Sequence, residues 1–159
     1  MARNRIVYRF LDMQEVVAFS VETLKEFSPV GSTDDEHPGL YRDNHLVFID
    51  GRVVKDASGW RPGQQVNISN PVPYARKIEV GHMKMSVPPH VYERAAPVIA
   101  GRYGNSVSVK FLFMPVRFGS IEAYAASAAG QAAGGRRGGS HKARRDWLVR
   151  QPALQITAR

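Results

Sequence analysis

The chain has 159 residues, 43% of them hydrophobic and 23% charged, which suits one globular domain with an appendage and leaves no room for a multidomain enzyme. It contains no cysteine, so disulfides, thiolate zinc sites, iron–sulfur clusters and thiol nucleophiles are excluded together, as expected of a cytosolic or particle-assembled protein. The net charge is +8, and from Ala126 onward seven basic residues stand against one acid, so +6 of it belongs to the last fifth and the body is nearly neutral.

Arg5 to Leu11 mixes β-branched and aromatic residues and predicts a short strand. Asp12 and Glu15 have capping-box spacing with Asp as N-cap, and Met13, Val16, Val17, Ser20, Val21, Leu24 and Phe27 recur at three- and four-residue steps. They predict an amphipathic helix over 13–27, ended by Pro29. Residues 28–43 hold glycines, prolines and the acidic run Asp34-Asp35-Glu36 and read as an exposed loop, longer than most connections. His45–Ile49 and Arg52–Lys55 flank Asp50-Gly51, a pair suited to the positive φ angles of a type I′ turn, so a β-hairpin is expected.

Ala57–Gly63 is turn-rich, and Gln65–Ser69 alternates as a half-buried strand does before Asn70-Pro71 stops it. Tyr74–Val80 fits a helical turn or a strand. Pro89–Ala100 predicts a second helix with a kink at Pro97, its exit bracketed by Gly101 and Gly104. Val107–Val116 puts Val107, Val109, Phe111 and Phe113 on one face and Leu112 and Met114 on the other, which predicts a central strand. Beyond Gly119 the composition changes: Ala123–Gly139 is Ala/Gly-rich, cannot offset its chain entropy by burial, and is expected to be disordered or a marginal helix on its own. Trp147, Leu148, Leu154 and Ile156 are expected to dock this arm on neighbouring subunits.

No catalytic residue, metal site or cofactor is assigned. Asp34-Asp35-Glu36-His37 offers carboxylates and an imidazole, but adjacent loop residues do not converge on one ion unaided, so a solvated acidic loop is expected. His82 and His90 lack a ligand partner at metal-binding spacing, and GxSxG, Walker A and GxGxxG are all missing. A small hydrolase built on that loop and the histidines would need activity lost on chelation. The basic arm, with Arg136, Arg137, Lys142, Arg144, Arg145 and Trp147, suits phosphate contact or docking on an acidic protein face, and both stay open. The N-terminus alternates basic and apolar residues, and no apolar run approaches the roughly 20 residues of a membrane span, so neither export nor a membrane partner is expected.

Two stretches carry a family resemblance. After the first helix come Ser28-Pro29-Val30 and Gly39-Leu40-Tyr41-Arg42; after the hairpin come Asn70, Tyr74-Ala75, Glu79 and Gly81 in the order N-x-x-x-Y-A-x-x-x-E-x-G. This order, covering roughly residues 12–100, resembles the tail-completion and head–tail connector (neck) proteins of tailed bacteriophages. It departs from them in a seven-residue insertion, Ser32–Pro38, and in the basic arm.

The resemblance implies a small α+β protein. With the elements above, this gives an N-terminal amphipathic helix and a second helix on a small, mostly antiparallel sheet with a long hairpin (residues 1–119), followed by an extended basic C-terminal arm (120–159). It implies a non-enzymatic virion protein, assembled in the host cytoplasm as a ring, six-fold or twelve-fold, at the head–tail junction. Its partners would be neighbouring neck, portal-adaptor or tail-tube proteins and the double-stranded DNA in the channel. Ser28, Pro29, Gly39, Arg42, Asn70, Tyr74, Glu79 and Gly81 would be the structural signature, with Tyr74 packing, Gly81 turning and Glu79 pairing with an arginine. Ring contacts are heterologous, and the expected inter-subunit residues are Asp34, Asp35 and Glu36 of the loop and Phe48, Asp50 and Gly51 of the hairpin. Because a sliding duplex should not be gripped tightly, an acidic neighbour is the expected seat of the arm.

Overall fold

The computed structural model describes residues 11–30, 38–81, 85, 87–116, 121 and 141–159. These form an α+β fold of four helices and a five-stranded antiparallel sheet. Helix α1 (Met13–Phe27) begins where the Asp12 side chain accepts from the Glu15 amide at 3.2 Å, which satisfies one of the donors a helix start leaves open. Its stripe of Met13, Val16, Val17, Ser20 and Leu24 is buried. Ser20 and Thr23 fit among apolar neighbours because their hydroxyls donate back to Val16 O and Phe19 O.

A 3-10 turn, Arg42–Asn44, leads into β1 (Leu46–Ile49), which pairs with β2 (Arg52–Val54) across Asp50 at φ 48° and Gly51 at φ 81°. Two consecutive left-handed residues are what a type I′ turn requires, so the expected hairpin forms. Its tip is tied to β3 (Val66–Ser69) by Asp50 N donating to Gln65 O and Gln65 N donating back to Asp50 Oδ1, each at 3.0 Å. Of the two readings of residues 74–80 the helix holds: α2 is Ala75–Val80 and ends on Gly81 in the left-handed conformation, φ 80°. Helix α3 (Val91–Tyr103) carries Pro97 on its exposed side. Strand β4 (Val107–Pro115), helix α4 (His141–Leu148) and strand β5 (Arg150–Ala158) follow.

The sheet order is β2-β1-β3-β5-β4, and this overturns two expectations. Strand β4 lies at an edge, not at the centre. It is apolar on both faces because Val109 and Phe111 pack under the helices while Met114 packs on the opposite side; periodicity reports the faces of a strand, not its neighbours. Strand β5, read as part of an extended arm, lies inside the sheet, with Ile68 opposite Leu154 on one side and Phe111 opposite Leu154 on the other. Leu154 and Ile156 are therefore core residues of this subunit and not docking residues for another. Each such fully buried aliphatic side chain contributes roughly 1.5–3 kcal/mol.

The main core lies between one sheet face and the helices, with Val16, Leu24, Ile78, Tyr92 and Ile99 meeting Val66, Ile68, Leu154 and Ile156. On the other face Phe48, Val116 and Ile121 form a second cluster, flanked by Leu46 and Met114. Apart from Leu11, the strand expected at 5–11 lies outside the described residues, as does the Ala/Gly-rich segment. No helix among the described residues is long and apolar enough to cross a membrane.

Candidate functional site: a buried polar junction and a clamped basic helix

Four of the signature residues, Ser28, Asn70, Tyr74 and Glu79, meet where the end of α1, the entry to β1, the end of β3, α2 and the start of α3 converge. At the centre is His45, buried, with Ser28 Oγ 2.8 Å from its Nε2 and Tyr92 Oη 2.7 Å from its Nδ1. Chemistry fixes the direction of this chain. The Leu24 carbonyl only accepts, so it takes the Ser28 proton; the histidine then donates from Nε2 to Ser28 Oγ, and Nδ1 accepts from Tyr92. All three groups are satisfied with a neutral imidazole. Burial, aided by Lys25 and opposed by Asp43, lowers the His45 pKa to about 3. The Ser28 proton points away from the imidazole, the reverse of what a histidine activating a serine nucleophile needs.

Glu79 is almost wholly buried, yet among the described residues it pairs with no arginine. Its two carboxylate oxygens accept from the first amides of α3, Tyr92 N at 2.8 Å and Glu93 N at 3.1 Å. The expected ion pair is thus replaced by a cap supplied from another helix, and the charge sits where the helix dipole favours it. Burial still pushes the Glu79 pKa up, against the two amide bonds and His90. Such a cap is needed because His90, at the N-cap position with φ 62°, makes no side-chain capping bond. Glu79, His90 and Glu93 place potential ligand atoms within 4.8 Å of one another. Both Glu79 oxygens accept from α3 amides, so Glu79 in this grouping acts as a helix cap.

Asn70 ties the remaining strands together. Its Nδ2 donates to Tyr41 O at 2.8 Å, its Oδ1 accepts from Val72 N at 3.0 Å, and its carbonyl accepts from Gln151 Nε2 at 2.9 Å. The Tyr41 ring stands edge-on to His45 and 6.5 Å from the Tyr74 ring, so Tyr74 packs at the junction as expected. Gly81 turns, as expected: its φ of 80° suits glycine, and a β-carbon there would touch Pro89. Gly39, at φ 80°, donates from its amide to Val30 O at 2.6 Å and thereby pins the two ends of the inserted loop. Pro29 is half-buried, and Arg42 pairs with Asp43 at 3.3 Å on the surface.

Among the expected inter-subunit residues, Asp50 and Gly51 are exposed at the hairpin tip, whereas Phe48 is buried under Val116 and Ile121 and offers no free surface. That correction has a non-local cause: Val116 and Ile121, far from Phe48 in sequence, pack on the face that Phe48 occupies. Asp34, Asp35, Glu36, Arg136, Arg137 and the Arg144 side chain lie outside the described residues.

The second arrangement is at the C-terminal basic residues. Lys142 and Arg145 stand on α4, whose end is fastened to α2 by Arg76. The Arg76 guanidinium lies 3.7 Å from the centroid of the Trp147 ring and donates to Trp147 O at 3.0 Å and Leu148 O at 3.5 Å. It caps two carbonyls at the helix end with a positive charge, where the dipole favours one. Burial and the neighbouring Arg150 charge lower the Arg76 pKa. Sequence reasoning missed Arg76, His45, Tyr92 and Gln151, and nothing local marks them: each works through a partner at least 17 positions away. In comparisons with known proteins, no family model, curated protein or solved structure matches the chain.

Proposed function

We propose that the chain is a structural virion protein of a tailed bacteriophage, forming a ring at the head–tail junction that joins the capsid portal complex to the tail and surrounds the DNA channel. The observation that carries this reading is the junction. Ser28, Asn70, Tyr74 and Glu79, which lie far apart in sequence and carry the resemblance to neck proteins, all bond or pack on the Tyr41, His45 and Tyr92 cluster. A set of positions that works as one structural unit is what a shared fold would preserve. The role is assembly: Ser28 and Glu79 are committed to holding the fold, and the exposed hairpin tip and the pinned loop supply surfaces for a neighbouring copy.

Single-molecule mass determination of the purified protein across salt, with and without a short DNA duplex, tests the proposal. A discrete multimer that forms without DNA is the expected result, and monomers throughout would overturn a self-assembling ring. A second reading, a non-specific nucleic-acid-binding module, is favoured by the cationic helix α4. It predicts monomers whose mass rises only with duplex at low salt.

A further inference from the structure

We infer that the outer edge of β4 docks the β4 of a second copy of this chain, the two strands pairing antiparallel about a two-fold axis at Phe111 to make one continuous sheet. The ends of the β4–β5 ladder show which backbone groups are free to do so. Arg159 N donates to Ser106 O at 2.9 Å and Val116 N donates to Val149 O at 2.7 Å, and both pairs keep the register that sets Lys110 opposite Gln155. The even-numbered residues of β4 therefore exchange hydrogen bonds with β5, while Val107, Val109, Phe111 and Phe113 direct their backbone groups outward. Two side chains agree with that assignment, since Arg159 Nε donates to Val107 O at 3.3 Å and Arg150 reaches Phe113 O at 3.5 Å. Among the described residues no strand lies on this side of β4.

Sheet edges are normally blunted by shortness or charge. The other edge of this sheet is: β2 has three residues, and Arg52 and Lys55 at its two ends are exposed. Strand β4 has nine residues and one charge, Lys110. Phe111, Leu112, Phe113 and Met114 are each only half-buried, so both faces of the strand stay partly apolar at the open side. In a five-stranded antiparallel sheet the two edge strands run the same way. Continuing the sheet head to tail, from β4 of one copy to β2 of the next, would therefore give a parallel pair of three residues. A two-fold axis at β4 gives the longer, antiparallel ladder, whose bonds are the better formed.

Side chains then select the register. With the axis at Phe111, that residue faces its own copy and Val109 faces Phe113 in both directions, aromatic and β-branched pairs of the kind that stabilise a ladder. Every outward amide of the three meets an outward carbonyl, and on the other face Lys110 lies opposite Leu112. Moving the axis to Lys110 sets two lysines directly opposite each other, which is unfavourable. Moving it to Leu112 sets Val109 against Pro115, which has no amide to give. The strand is thus complementary to itself in one register. The inference goes beyond the ring reading and does not rest on it, because a two-fold contact joins copies in pairs, whereas a ring is closed by heterologous contacts.

The test is the mass of the full chain, followed by analytical ultracentrifugation up to about 100 μM, a range that reveals contacts of micromolar strength. Leu112→Lys puts a lysine opposite Lys110 on both sides of the axis and is expected to raise the Kd of the contact about tenfold. Adding Lys110→Glu makes both pairs opposite in charge and is expected to restore association. Dimers that Leu112→Lys turns into monomers, or a larger assembly that it halves, are the expected result. Monomers of the unsubstituted chain, an assembly that Leu112→Lys leaves intact, or no recovery on adding Lys110→Glu overturns the inference. A second measurement uses the fact that the chain has no cysteine. In the proposed register positions 110 and 112 of the two copies face each other with Cα atoms about 4.5 Å apart, within disulfide reach. An equimolar mixture of Lys110→Cys and Leu112→Cys chains should therefore cross-link faster than either variant alone, and equal rates overturn the inference. The ring is judged separately: a ring-sized multimer that Leu112→Lys leaves intact defeats the β4 contact alone, and dimers that it abolishes, with nothing larger, defeat the ring alone.

Discussion

The junction around His45 and the clamp at Arg76 both join segments distant in sequence, but they do so with opposite chemistry. In the junction the ties lie largely inside the fold: Glu79 spends both oxygens on the α3 amides, and Ser28, His45 and Tyr92 pass hydrogen bonds in one direction to a backbone carbonyl. At the clamp the tie is partly wet, and Lys77, Lys142 and Arg150 near it in sequence or in the fold are exposed. Closed polar networks hold one arrangement, because any departure strands a buried group. Exposed charge contributes little to stability. The comparison therefore assigns fold maintenance to the first region and a smaller, local contribution to the second, and it can be broken by measurement.

The largest difference should come from the two capping groups. Glu79→Ala leaves the Tyr92 and Glu93 amides without their acceptor at a buried helix start, and two stranded groups cost about 3 kcal/mol. Glu79→Gln keeps one accepting oxygen and should cost about half of that. Urea unfolding measures both; a loss for Glu79→Ala no larger than that for Arg76→Ala would remove the distinction between the regions.

Acid sharpens the comparison next, because the junction holds a histidine that is neutral by burial. The folded pKa of His45 is about 3, below the unfolded value of about 6.5. Folding therefore disfavours the protonated ring. The associated stability is complete above pH 6.5 and is lost as pH falls from there toward 3, at about 1.4 kcal/mol per unit. By pH 5 the expected loss is about 2 kcal/mol relative to pH 7. His45→Gln, which cannot titrate, should start less stable at pH 7 and show that much less acid sensitivity. Parallel stability curves for the two proteins between pH 7 and 5 would show that the imidazole is not neutral when folded.

The two regions also differ in how far the sequence reveals them. The start of α1 and the β1–β2 turn are set by residues within four positions of one another, Asp12 with Glu15 and Asp50 with Gly51, and both were legible. Glu79, Asn70 and Tyr74 were legible as a pattern, but their roles were not, since the cap that Glu79 supplies requires α3 to be already in place. Strand β5 was hidden for a physical reason. It follows a run of basic residues and contains Pro152, which lacks the amide an interior strand normally uses. Only the inward alternation of Leu154 and Ile156 announced it, and the surrounding composition outweighed that signal. Phe48 was misjudged likewise, because what covers it returns from beyond β4.

A smaller effect is expected at the clamp itself. Arg76→Ala removes a cation–π contact and two bonds to helix-end carbonyls on a half-exposed surface, at about 1 kcal/mol in total. The loss should be local. Hydrogen exchange is expected to quicken at α4 while amides of β3 keep their protection; uniform loss of protection would make the clamp part of the same cooperative unit as the junction.

The smallest effect tests the junction from within, using two tyrosines that are buried alike but bonded differently. Tyr92 donates to His45 Nδ1, whereas no hydrogen-bond partner of Tyr41 Oη is found among the described residues. Burial raises the pKa of both phenols far above the usual value, so each enters the folded state with its proton. For Tyr92 that proton goes to a nitrogen that has no other donor, and Tyr92→Phe should cost about 1 kcal/mol by leaving the imidazole half-satisfied. For Tyr41 the hydroxyl was desolvated without return, so Tyr41→Phe keeps the ring contacts with His45 and Tyr74 and relieves that cost. Its expected change is near zero or slightly stabilising. If thermal melts gave the two variants equal losses, closure of the hydrogen-bond chain would not be what sets the junction's stability, and ring packing around Tyr41 would take its place.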